Sequence, residues 1–275
     1  MLVAAVQLTS TPDKVRNLKA AAHLIREAAA AGARLVVLPE YTDFLGDPAT
    51  AAALADPVPG PTAAMFGALA AELSIDLVAG SVWERVDSTP VRYHNTVIAF
   101  DATGTLVARY RKLHAFDVDV SGIGPAHESS AITAGDQVVS AAFSGYRAGI
   151  AACYDLRFPE VLRLHAVQGC RILTVPSAFR ARTGADHWEV LLRARAIENQ
   201  CYVIAAGQIG VDGRGITNFG RSMIIDPWGV VLACAADEPG VVLARVDFER
   251  QSEMRRRMPL FAQRRTDVYQ LGTAS

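Results

Sequence analysis

The sequence predicts an α/β protein in which two mixed β-sheets stack on each other and helices cover the outer faces. Strand-like and helix-like segments alternate in the first half of the chain, whereas the later strands follow one another through tight turns. The chain has 275 residues, 51% of them hydrophobic, which is enough for one large core. The Pro/Gly-rich segment 56–61 is too short for a linker and leads directly into an apolar helix. We therefore expect a single domain over residues 1–275, with 258–275 as a C-terminal tail.

The elements of the first half are predicted from the spacing of apolar residues. Apolar positions that recur every three or four residues after Asp13 predict a helix with Asp13 as its N-cap and Gly32 as its stop. The apolar run Arg34–Leu38 is typical of a strand covered on both faces. In chain order, we expect a strand at 3–8, a helix at 13–31, a strand at 34–38, a helix at 62–73, a strand at 76–83, and hairpin strands at 95–100 and 105–109.

The second half opens with residues 115–136, which show no periodicity and are interpreted as a long loop. Further on, the apolar stripe Val190, Leu191, Ala194 and Ile197 predicts a helix at 187–200. The glycine-rich segment 207–215 lacks the order of a dinucleotide site and is interpreted as a hairpin turn. The other expected elements are two strands at 140–152, a helix at 158–168, strands at 171–175, 201–208, 221–225, 230–234 and 241–246, and a helix at 248–257.

Charge and cysteine content exclude several classes of function. The net charge is −1, so no field over the whole chain favours nucleic acid or anionic lipid, and Arg255–Arg257 is interpreted as a solvated helix face. No apolar run reaches the roughly 18 residues of a membrane span, and the N-terminus lacks the basic region of a signal peptide. The four cysteines do not form a disulfide framework in so long a chain, which favours a reducing, cytoplasmic location.

Three of the predicted strands end at reactive side chains. Glu40, Lys112 and Cys153 each follow an apolar run, and strand ends of α/β proteins share one crevice. Glu40 can take the thiol proton and later activate water, whereas Lys112 can lower the thiol pKa and bind an oxyanion. Cys153 can then attack and become acylated. Taken one at a time, each has a structural alternative: a strand-end charge, a surface lysine and a buried thiol.

The three residues lie in blocks that resemble the signature segments of the nitrilase superfamily of carbon–nitrogen hydrolases. The blocks are Leu38–Glu40, Tyr110–His114 and Cys153–Glu160, and the similarity runs from Val3 to about Tyr269. Further segments resemble the Nit amidase branch, the deaminated glutathione amidases first and the ω-amidases second. These segments are 114–119, 176–179, 187–200, 226–229 and 264–269.

The resemblance implies a four-layer αββα sandwich, a homodimer formed by stacking sheets of two subunits, and a catalytic triad. In it, Glu40 is the base, Lys112 the transition-state stabiliser and Cys153 the nucleophile, while Glu128 matches an additional glutamate that positions the lysine or the substrate.

The implied reaction is hydrolysis of a small carboxylate-bearing amide, such as deaminated glutathione, through a thioester and with release of ammonia. Alternatives are the ω-amidase reaction on α-ketoglutaramate, cleavage of a nitrile or an N-carbamoyl amine, and a non-catalytic scaffold. The expected partner is thus a small-molecule amide, and neither a metal nor a cofactor is needed.

Two residues next to Cys153 are further candidates. The backbone N–H of Tyr154 is a second oxyanion donor by position. Arg157 can clamp a substrate carboxylate, or it can form a salt bridge with Glu160 or Asp155.

The remaining candidates concern the pocket wall. Phe179 and Tyr41 are aromatic wall residues, with core packing as the alternative for Phe179. The Gly-rich loop 118–128 borders the same pocket and bears on substrate choice. His114 and His187 are interpreted as structural hydrogen-bond partners, since no zinc-ligand spacing is present.

Overall fold

The computed structural model of the protein describes residues 1–89, 91–120 and 124–272. In chain order, the described strands are β1 (Leu2–Gln7), β2 (Leu35–Val37), β3 (Asp76–Val86), β4 (Arg92–Phe100), β5 (Leu106–Arg111), β6 (Asp117–Val120), β7 (Gly124–His127), β8 (Ser140–Phe143), β9 (Tyr146–Ile150), β10 (Ile172–Ser177), β11 (Tyr202–Gly207), β12 (Ile209–Val211), β13 (Thr217–Phe219), β14 (Met223–Ile225), β15 (Val231–Cys234) and β16 (Gly240–Arg245). The described helices are α1 (Lys14–Ala30), α2 (Pro48–Leu54), α3 (Pro61–Leu73), α4 (Pro159–Val167), α5 (Ala181–Asn199) and α6 (Phe248–Arg257). None of the helices in these ranges is long and apolar enough to cross a membrane.

Two six-stranded mixed sheets form the centre of the fold. The first has the order β16-β1-β2-β3-β4-β5 and the second the order β15-β14-β11-β10-β9-β8. Parallel neighbours lie in the middle of each sheet: β1, β2 and β3 in the first, and β9, β10 and β11 in the second. The carboxyl ends of these parallel strands therefore lie at one edge of each sheet, which is where α/β proteins place their binding crevices.

The two sheets pack face to face and carry helices on their outer faces. One buried cluster joins Val37 and Val97 of the first sheet to Ile150 and Ile204 of the second. A second cluster packs α1 and α3 against the first sheet, and a third packs α4 and α5 against the second. The predicted four-layer αββα sandwich is confirmed.

Helix α1 illustrates how the sequence fixes an element. The Asp13 carboxylate accepts a hydrogen bond of 2.9 Å from the backbone N–H of Arg16, which satisfies one free donor of the first turn. Ala21 and Ile25 lie on the helix face that is buried against the first sheet. The predicted cap is confirmed. Of the predicted apolar face, Ile25 is buried and Leu18, Ala22 and Ala29 are partly buried, but Val15 is 63% exposed.

The prediction of one long loop over residues 115–136 is wrong in part. Strands β6 and β7 pair antiparallel, with Asp117 opposite His127, and a single 3-10 turn follows at Glu128–Ser130. Three residues of the Gly-rich segment, 121–123, lie outside the described residues. Asp and Val alternate over β6, which is a strand pattern, but it spans only four residues and most of them are exposed.

Helix α2 was not predicted, and α5 differs from its prediction in extent and in orientation. It begins at Ala181, six residues earlier than expected, because Gly184 lets it pack against Phe219, where a Cβ atom would come within 2.3 Å of that ring. The predicted apolar stripe is not the buried face: Val190 is 68% and Ile197 46% exposed. The buried face carries the apolar stripe Trp188, Leu192 and Ala196. It also carries Arg195, whose guanidinium donates to a backbone carbonyl and whose polarity obscured this face in the sequence.

The interpretation of the arginine run in α6 as a solvated face holds for Arg256 and Arg257 but is wrong for Arg255. Its guanidinium donates hydrogen bonds to the carbonyls of Gln200 at 2.9 Å and Cys170 at 3.1 Å. These contacts hold α6 against the loops that enter β10 and β11.

Candidate active site

The predicted catalytic residues are brought together at the edge where the central strands end. Glu40 follows β2, Lys112 follows β5 and Cys153 follows β9. They are buried, with exposed fractions of 1%, 3% and 8% respectively, and they line the same cavity. The expectation that these strand ends share one crevice therefore agrees with the structure.

Lys112 lies between two carboxylates. Its Nζ atom is 2.9 Å from Oε1 of Glu40 and 2.8 Å from Oε2 of Glu128. Burial alone lowers the pKa of Lys112, but the charges of Glu128 and Glu40 outweigh that effect and raise the pKa well above its ordinary value. Lys112 is thus a permanent cation in this site.

Glu128 is held in its charged form. Burial raises the pKa of its carboxyl group, but the Lys112 ammonium and the hydroxyl of Tyr41 lower it further than burial raises it. The backbone N–H of Phe116 donates a third stabilising hydrogen bond, of 2.7 Å. Glu128 therefore supplies a fixed negative charge to Lys112.

The Cys153 thiol shares the cavity with the Glu40 carboxylate and has a pKa raised well above its ordinary value. Burial is the main cause, followed by the Glu40 charge, while Lys112 and the N–H of Ala178 lower the pKa by less. Lys112 does lower the thiol pKa, as expected. The sum of all effects raises that pKa, so the expectation of a lowered thiol pKa is wrong. The resting group is a neutral thiol beside a carboxylate, so attack requires proton transfer to that carboxylate.

Two donors that the sequence analysis missed fix the Glu40 carboxylate. The backbone N–H of Ala178 donates to Oε2 at 2.9 Å, and Nδ2 of Asn95 donates to Oε1 at 2.7 Å. Asn95 also reaches Glu128 at 3.2 Å and is fully buried within β4. The sequence around Asn95 gives no signal for this role, because the polar residues His94 and Thr96 flank it in β4.

The turn that carries Cys153 is held by Asp155, which was also missed. This fully buried carboxylate accepts hydrogen bonds from the Tyr110 hydroxyl at 2.6 Å and from the N–H of Ala152 at 2.8 Å. Nδ1 of His114 lies 2.7 Å from it, as expected for a structural histidine. Cys153 itself has a φ of 46°, a left-handed conformation that is costly for a non-glycine residue and needs such surroundings to persist.

Tyr41 lines the cavity, but its hydroxyl is engaged. It donates to Oε1 of Glu128, and the ring packs on Trp83 with a centroid distance of 5.9 Å. The predicted wall residue thus also orients the carboxylate beside Lys112.

Arg157 lines the cavity and rests on aromatic rings. Its guanidinium carbon lies 5.2 Å from the ring centroid of Phe179 and 5.8 Å from that of Tyr154. Within the described ranges it forms no ion pair with Asp155 or Glu160, so the salt-bridge alternative is wrong. Its guanidinium approaches His187 instead, at 3.2 Å from Nδ1.

Phe179 serves both of its expected roles. It lines the cavity, and it packs on Trp188 of α5 with a centroid distance of 5.1 Å.

Comparison with known proteins places this arrangement in a family. Residues 2–256 match the carbon–nitrogen hydrolase family. The chain belongs to that family. The predicted resemblance to the nitrilase superfamily is confirmed, and the protein is a hydrolase that acts on carbon–nitrogen bonds.

Relatives of this carbon–nitrogen hydrolase include two kinds of amidase. The chain is 44% identical to the deaminated glutathione amidase of Homo sapiens over 272 residues, which cover 98% of this chain and 83% of that protein. It is 37% identical to the omega-amidase NIT2 of Homo sapiens over 267 residues, covering 97% and 96% of the two chains. The crystal structure of the C. elegans NitFhit protein superimposes with a TM-score of 0.91 at 36% identity, covering 98% of this chain and 66% of that one.

Proposed function

We propose that this hydrolase cleaves small carboxylate-bearing amides through a thioester on Cys153. The proposal depends on one observation: the Cys153 thiol lines the same cavity as Glu40, whose carboxylate lies 2.9 Å from the Lys112 ammonium. A nucleophile, a base and a cation within mutual reach are the parts that acyl transfer requires.

In the first half-reaction the thiol adds to the amide carbon. The Cys153 sulfur forms a bond to that carbon while its proton passes to Glu40, and the amide oxygen becomes an oxyanion. Lys112 and the backbone N–H of Tyr154 stabilise that charge. The carbon–nitrogen bond then breaks as Glu40 returns the proton to nitrogen, which leaves as ammonia from a primary amide or as an amine from a substituted one.

In the second half-reaction water replaces nitrogen. Glu40 takes a proton from water, the hydroxyl oxygen bonds to the thioester carbon, and the carbon–sulfur bond breaks. Cys153 recovers its proton from Glu40, and the product leaves as a carboxylic acid that ionises by losing its proton to solvent. Glu128 holds Lys112 in place through both halves, at 2.8 Å.

The carboxylate-bearing class of substrate is supported by the cavity wall and by the relatives. Arg157 lines the cavity without an ion pair to its acidic chain neighbours, Asp155 and Glu160, so its guanidinium is available for a bidentate contact with a substrate carboxylate. Phe179 and Tyr41 supply apolar surface beside it. The two kinds of relative make deaminated glutathione the first substrate to test and α-ketoglutaramate the second.

A substrate panel with a trapped intermediate tests the proposal. The wild-type protein is incubated with deaminated glutathione, α-ketoglutaramate, a nitrile and an N-carbamoyl amine, and the released amine and ammonia are measured. We expect turnover of an amide, an acyl adduct on Cys153 by mass spectrometry, and complete loss of both with Cys153→Ala. Cys234→Ala, which removes an exposed thiol, is the matched control. Amide turnover that survives in Cys153→Ala would refute the mechanism.

We further propose that the chain acts as a single domain and as a homodimer in a reducing, cytoplasmic compartment. A thiol nucleophile must stay reduced to attack, which supports the compartment. The family match over residues 2–256 supports one domain.

An exposed apolar patch, formed by Val190 and Ile197 of α5 with Trp228 and Val230, supports the dimer. Helix α5 and the turn that carries Trp228 and Val230 are held together because the Arg193 guanidinium donates to the carbonyl of Gly229 at 2.8 Å. Light scattering should give the mass of a dimer for the wild type and of a monomer for Val190→Lys, and a monomeric wild type would refute the dimer.

A further inference from the structure

The guanidinium of Arg157 is contacted on three sides by its own chain. Its central carbon lies 5.2 Å from the ring centroid of Phe179 and 5.8 Å from that of Tyr154. Nη1 of the same group lies 3.2 Å from Nδ1 of His187. Contacts with aromatic rings tolerate rotation of the guanidinium within its plane, whereas a hydrogen bond to one nitrogen is directional. His187 is thus the contact that can fix which edge of the guanidinium is presented.

The contact with His187 defines the roles of both side chains. A guanidinium can only donate, so Nδ1 of His187 accepts, and the imidazole is neutral with its proton on Nε2. The bond occupies Nη1 of Arg157. Within residues 1–89, 91–120 and 124–272, Nε and Nη2 of Arg157 form no hydrogen bond with the protein. These two nitrogens form a paired edge that fits the two oxygens of a carboxylate.

Helix α5 places His187 beside Arg157. His187 lies in the second turn of α5, and the next residue, Trp188, is only 1% exposed. The Trp188 ring packs on Phe179 at 5.1 Å, and its Nε1 donates to the carbonyl of Arg221 at 2.8 Å. The backbone at His187 is therefore anchored although its own side chain is exposed. Because the imidazole is on the surface, replacing it should leave the fold intact.

The turn that carries Cys153 also carries Arg157. The two residues are the ends of one short 3-10 turn, and Asp155 within it accepts hydrogen bonds from the Tyr110 hydroxyl and the N–H of Ala152. The backbone positions of the thiol and the guanidinium are thus fixed relative to each other. The freedom that remains lies in the Arg157 side chain. Ordering such a long side chain on binding costs free energy, and a contact that orders it beforehand lowers this cost.

We propose that His187 is a positioning residue for substrate binding, which holds Arg157 so that its Nε–Nη2 edge meets the carboxylate of the substrate. His187 does not itself line the cavity, whereas Arg157 does. The inference rests on the proposed amidase function and adds to it a residue that acts only through the arginine.

Two ligands of similar size that differ in one charge test this role. Succinamate carries an amide and a carboxylate, and 4-methylpentanamide has an isopropyl group in place of the carboxylate. In a Cys153→Ala background, NMR titration gives both dissociation constants without turnover. We expect succinamate to bind about tenfold or more tightly than the neutral amide. His187→Leu should weaken succinamate binding about fivefold to tenfold and 4-methylpentanamide binding less than about twofold.

His187→Asn separates positioning from packing. The carbonyl oxygen of asparagine branches from the same carbon as Nδ1 of histidine and can accept the same hydrogen bond, so succinamate binding should return to within about twofold of the background protein. His23→Leu, which removes an exposed histidine of α1, is the matched control and should change neither ligand. Equal weakening of both ligands by His187→Leu, unchanged succinamate binding, or no recovery with His187→Asn would each overturn the proposal.

Kinetics and the state of the imidazole give two further readouts. With the best carboxylate-bearing amide of the substrate panel, His187→Leu should raise KM and leave kcat within about twofold, because the carboxylate contact is the same in the ground state and the transition state. Nitrogen NMR should show Nδ1 of His187 unprotonated in the wild type. Its resonance should move in Arg157→Gln and not in Arg182→Gln, which removes an exposed arginine of the same helix. A protonated Nδ1, or a fall in kcat at constant KM, would contradict the role.

Turnover separates this inference from the proposed function. If the wild type hydrolyses amides and substitutions at His187 affect both ligands alike, the positioning role is wrong and the amidase function stands. If the substitutions act on succinamate as expected and no amide is hydrolysed, the positioning role stands and the proposed function is wrong. Equal binding of the two ligands before any change at His187 would refute the carboxylate contact of Arg157 and, with it, the inference.

Discussion

The side-chain amide of Asn95 donates a hydrogen bond of 2.7 Å to Oε1 of Glu40, the same oxygen that contacts Lys112. That oxygen therefore has two donors, while Oε2 accepts from the backbone N–H of Ala178. These three contacts leave the carboxylate one orientation next to the Cys153 thiol. The base is preorganised, so little reorganisation is needed when the proton moves.

Replacing Asn95 by aspartate should be more damaging than replacing it by alanine. Asn95→Ala removes a donor, whereas Asn95→Asp places a third carboxylate against Glu40 and Glu128 in a buried site. We expect kcat to fall about 10-fold for Asn95→Ala and about 100-fold or more for Asn95→Asp. These losses correspond to increases in the activation free energy of about 1.4 kcal/mol and about 2.7 kcal/mol, respectively. Initial rates on the best amide of the substrate panel measure both.

The pH dependence distinguishes this role from a structural one. A protonated aspartic acid can donate as the amide does, so Asn95→Asp should recover activity relative to wild type as the pH falls. Asn199→Asp, an equally buried exchange at the far end of α5, should show no such recovery. Equal pH profiles for Asn95→Asp and wild type would rule out the role.

The Cys153 thiol should not ionise near neutral pH in the free enzyme. Its pKa is raised well above the ordinary value by burial and then by the Glu40 charge. The thiolate absorbance, taken as the difference between wild type and Cys153→Ala, should therefore appear only in the alkaline range. Glu40→Gln removes one cause of the shift and should move this titration to lower pH while abolishing turnover. A wild-type thiolate already formed at pH 7 would contradict this account.

The sequence predicted which reactive residues meet in the cavity but little of what holds them there. Glu40, Lys112 and Cys153 were found because each follows an apolar strand within a recognisable block. Asn95 and Asp155 were missed because their partners are 33 to 55 residues away along the chain, or belong to the backbone, and only the folded sheets bring them together. Long-range hydrogen bonds of this kind leave no local pattern.

The same limit applies to the elements. The amphipathic helix α1 and its cap were predictable because both are local signals. The early start of α5 depends on a contact between distant segments, the fit of Gly184 against Phe219. The ribbon of β6 and β7 is a local hairpin, and its strands of four residues each were too short for the sequence analysis to recognise. Hydropathy also misjudged α5 because exposed Val190 looks more apolar than buried Arg195.

Removing the charge of Glu128 should impair catalysis through Lys112. Glu128→Gln keeps the size of the side chain and takes away one of the two carboxylates that raise the lysine pKa. We expect kcat to fall about 10- to 100-fold, since an oriented cation in a buried site is worth several kcal/mol to an oxyanion. Glu72→Gln, at an exposed ion pair with Arg26, is the control and should keep full activity. Full activity in Glu128→Gln would show that Glu40 alone suffices to hold Lys112.

A buried carboxyl group three residues after Glu40 should make stability depend on pH. Burial raises the pKa of Asp43 from 3.8 to about 7, more than Lys14 and the N–H of Trp83 lower it. The folded state therefore binds a proton that the unfolded state releases between these two values, so Asp43 costs stability as the pH rises from about 4 to about 7. A shift of this size corresponds to about 4 kcal/mol at most.

Asp43→Asn should therefore stabilise the protein more at pH 8 than at pH 4, because the amide keeps an acceptor for Trp83 and carries no charge. Asp56→Asn provides the contrast within the same cluster. Burial raises the pKa of Asp56, but Lys14 and Thr62 lower it below its ordinary value. The ionised carboxylate therefore stabilises the folded protein above that ordinary pKa, and this stabilisation is lost as the pH falls below it. Melting temperatures of both variants are measured against wild type from pH 4 to 8. The advantage of Asp43→Asn over wild type should grow as the pH rises, whereas the difference between Asp56→Asn and wild type should stay nearly constant, because Asp56 titrates below this range. A difference between Asp43→Asn and wild type that stays constant over this range would show that Asp43 is ionised in the folded protein throughout.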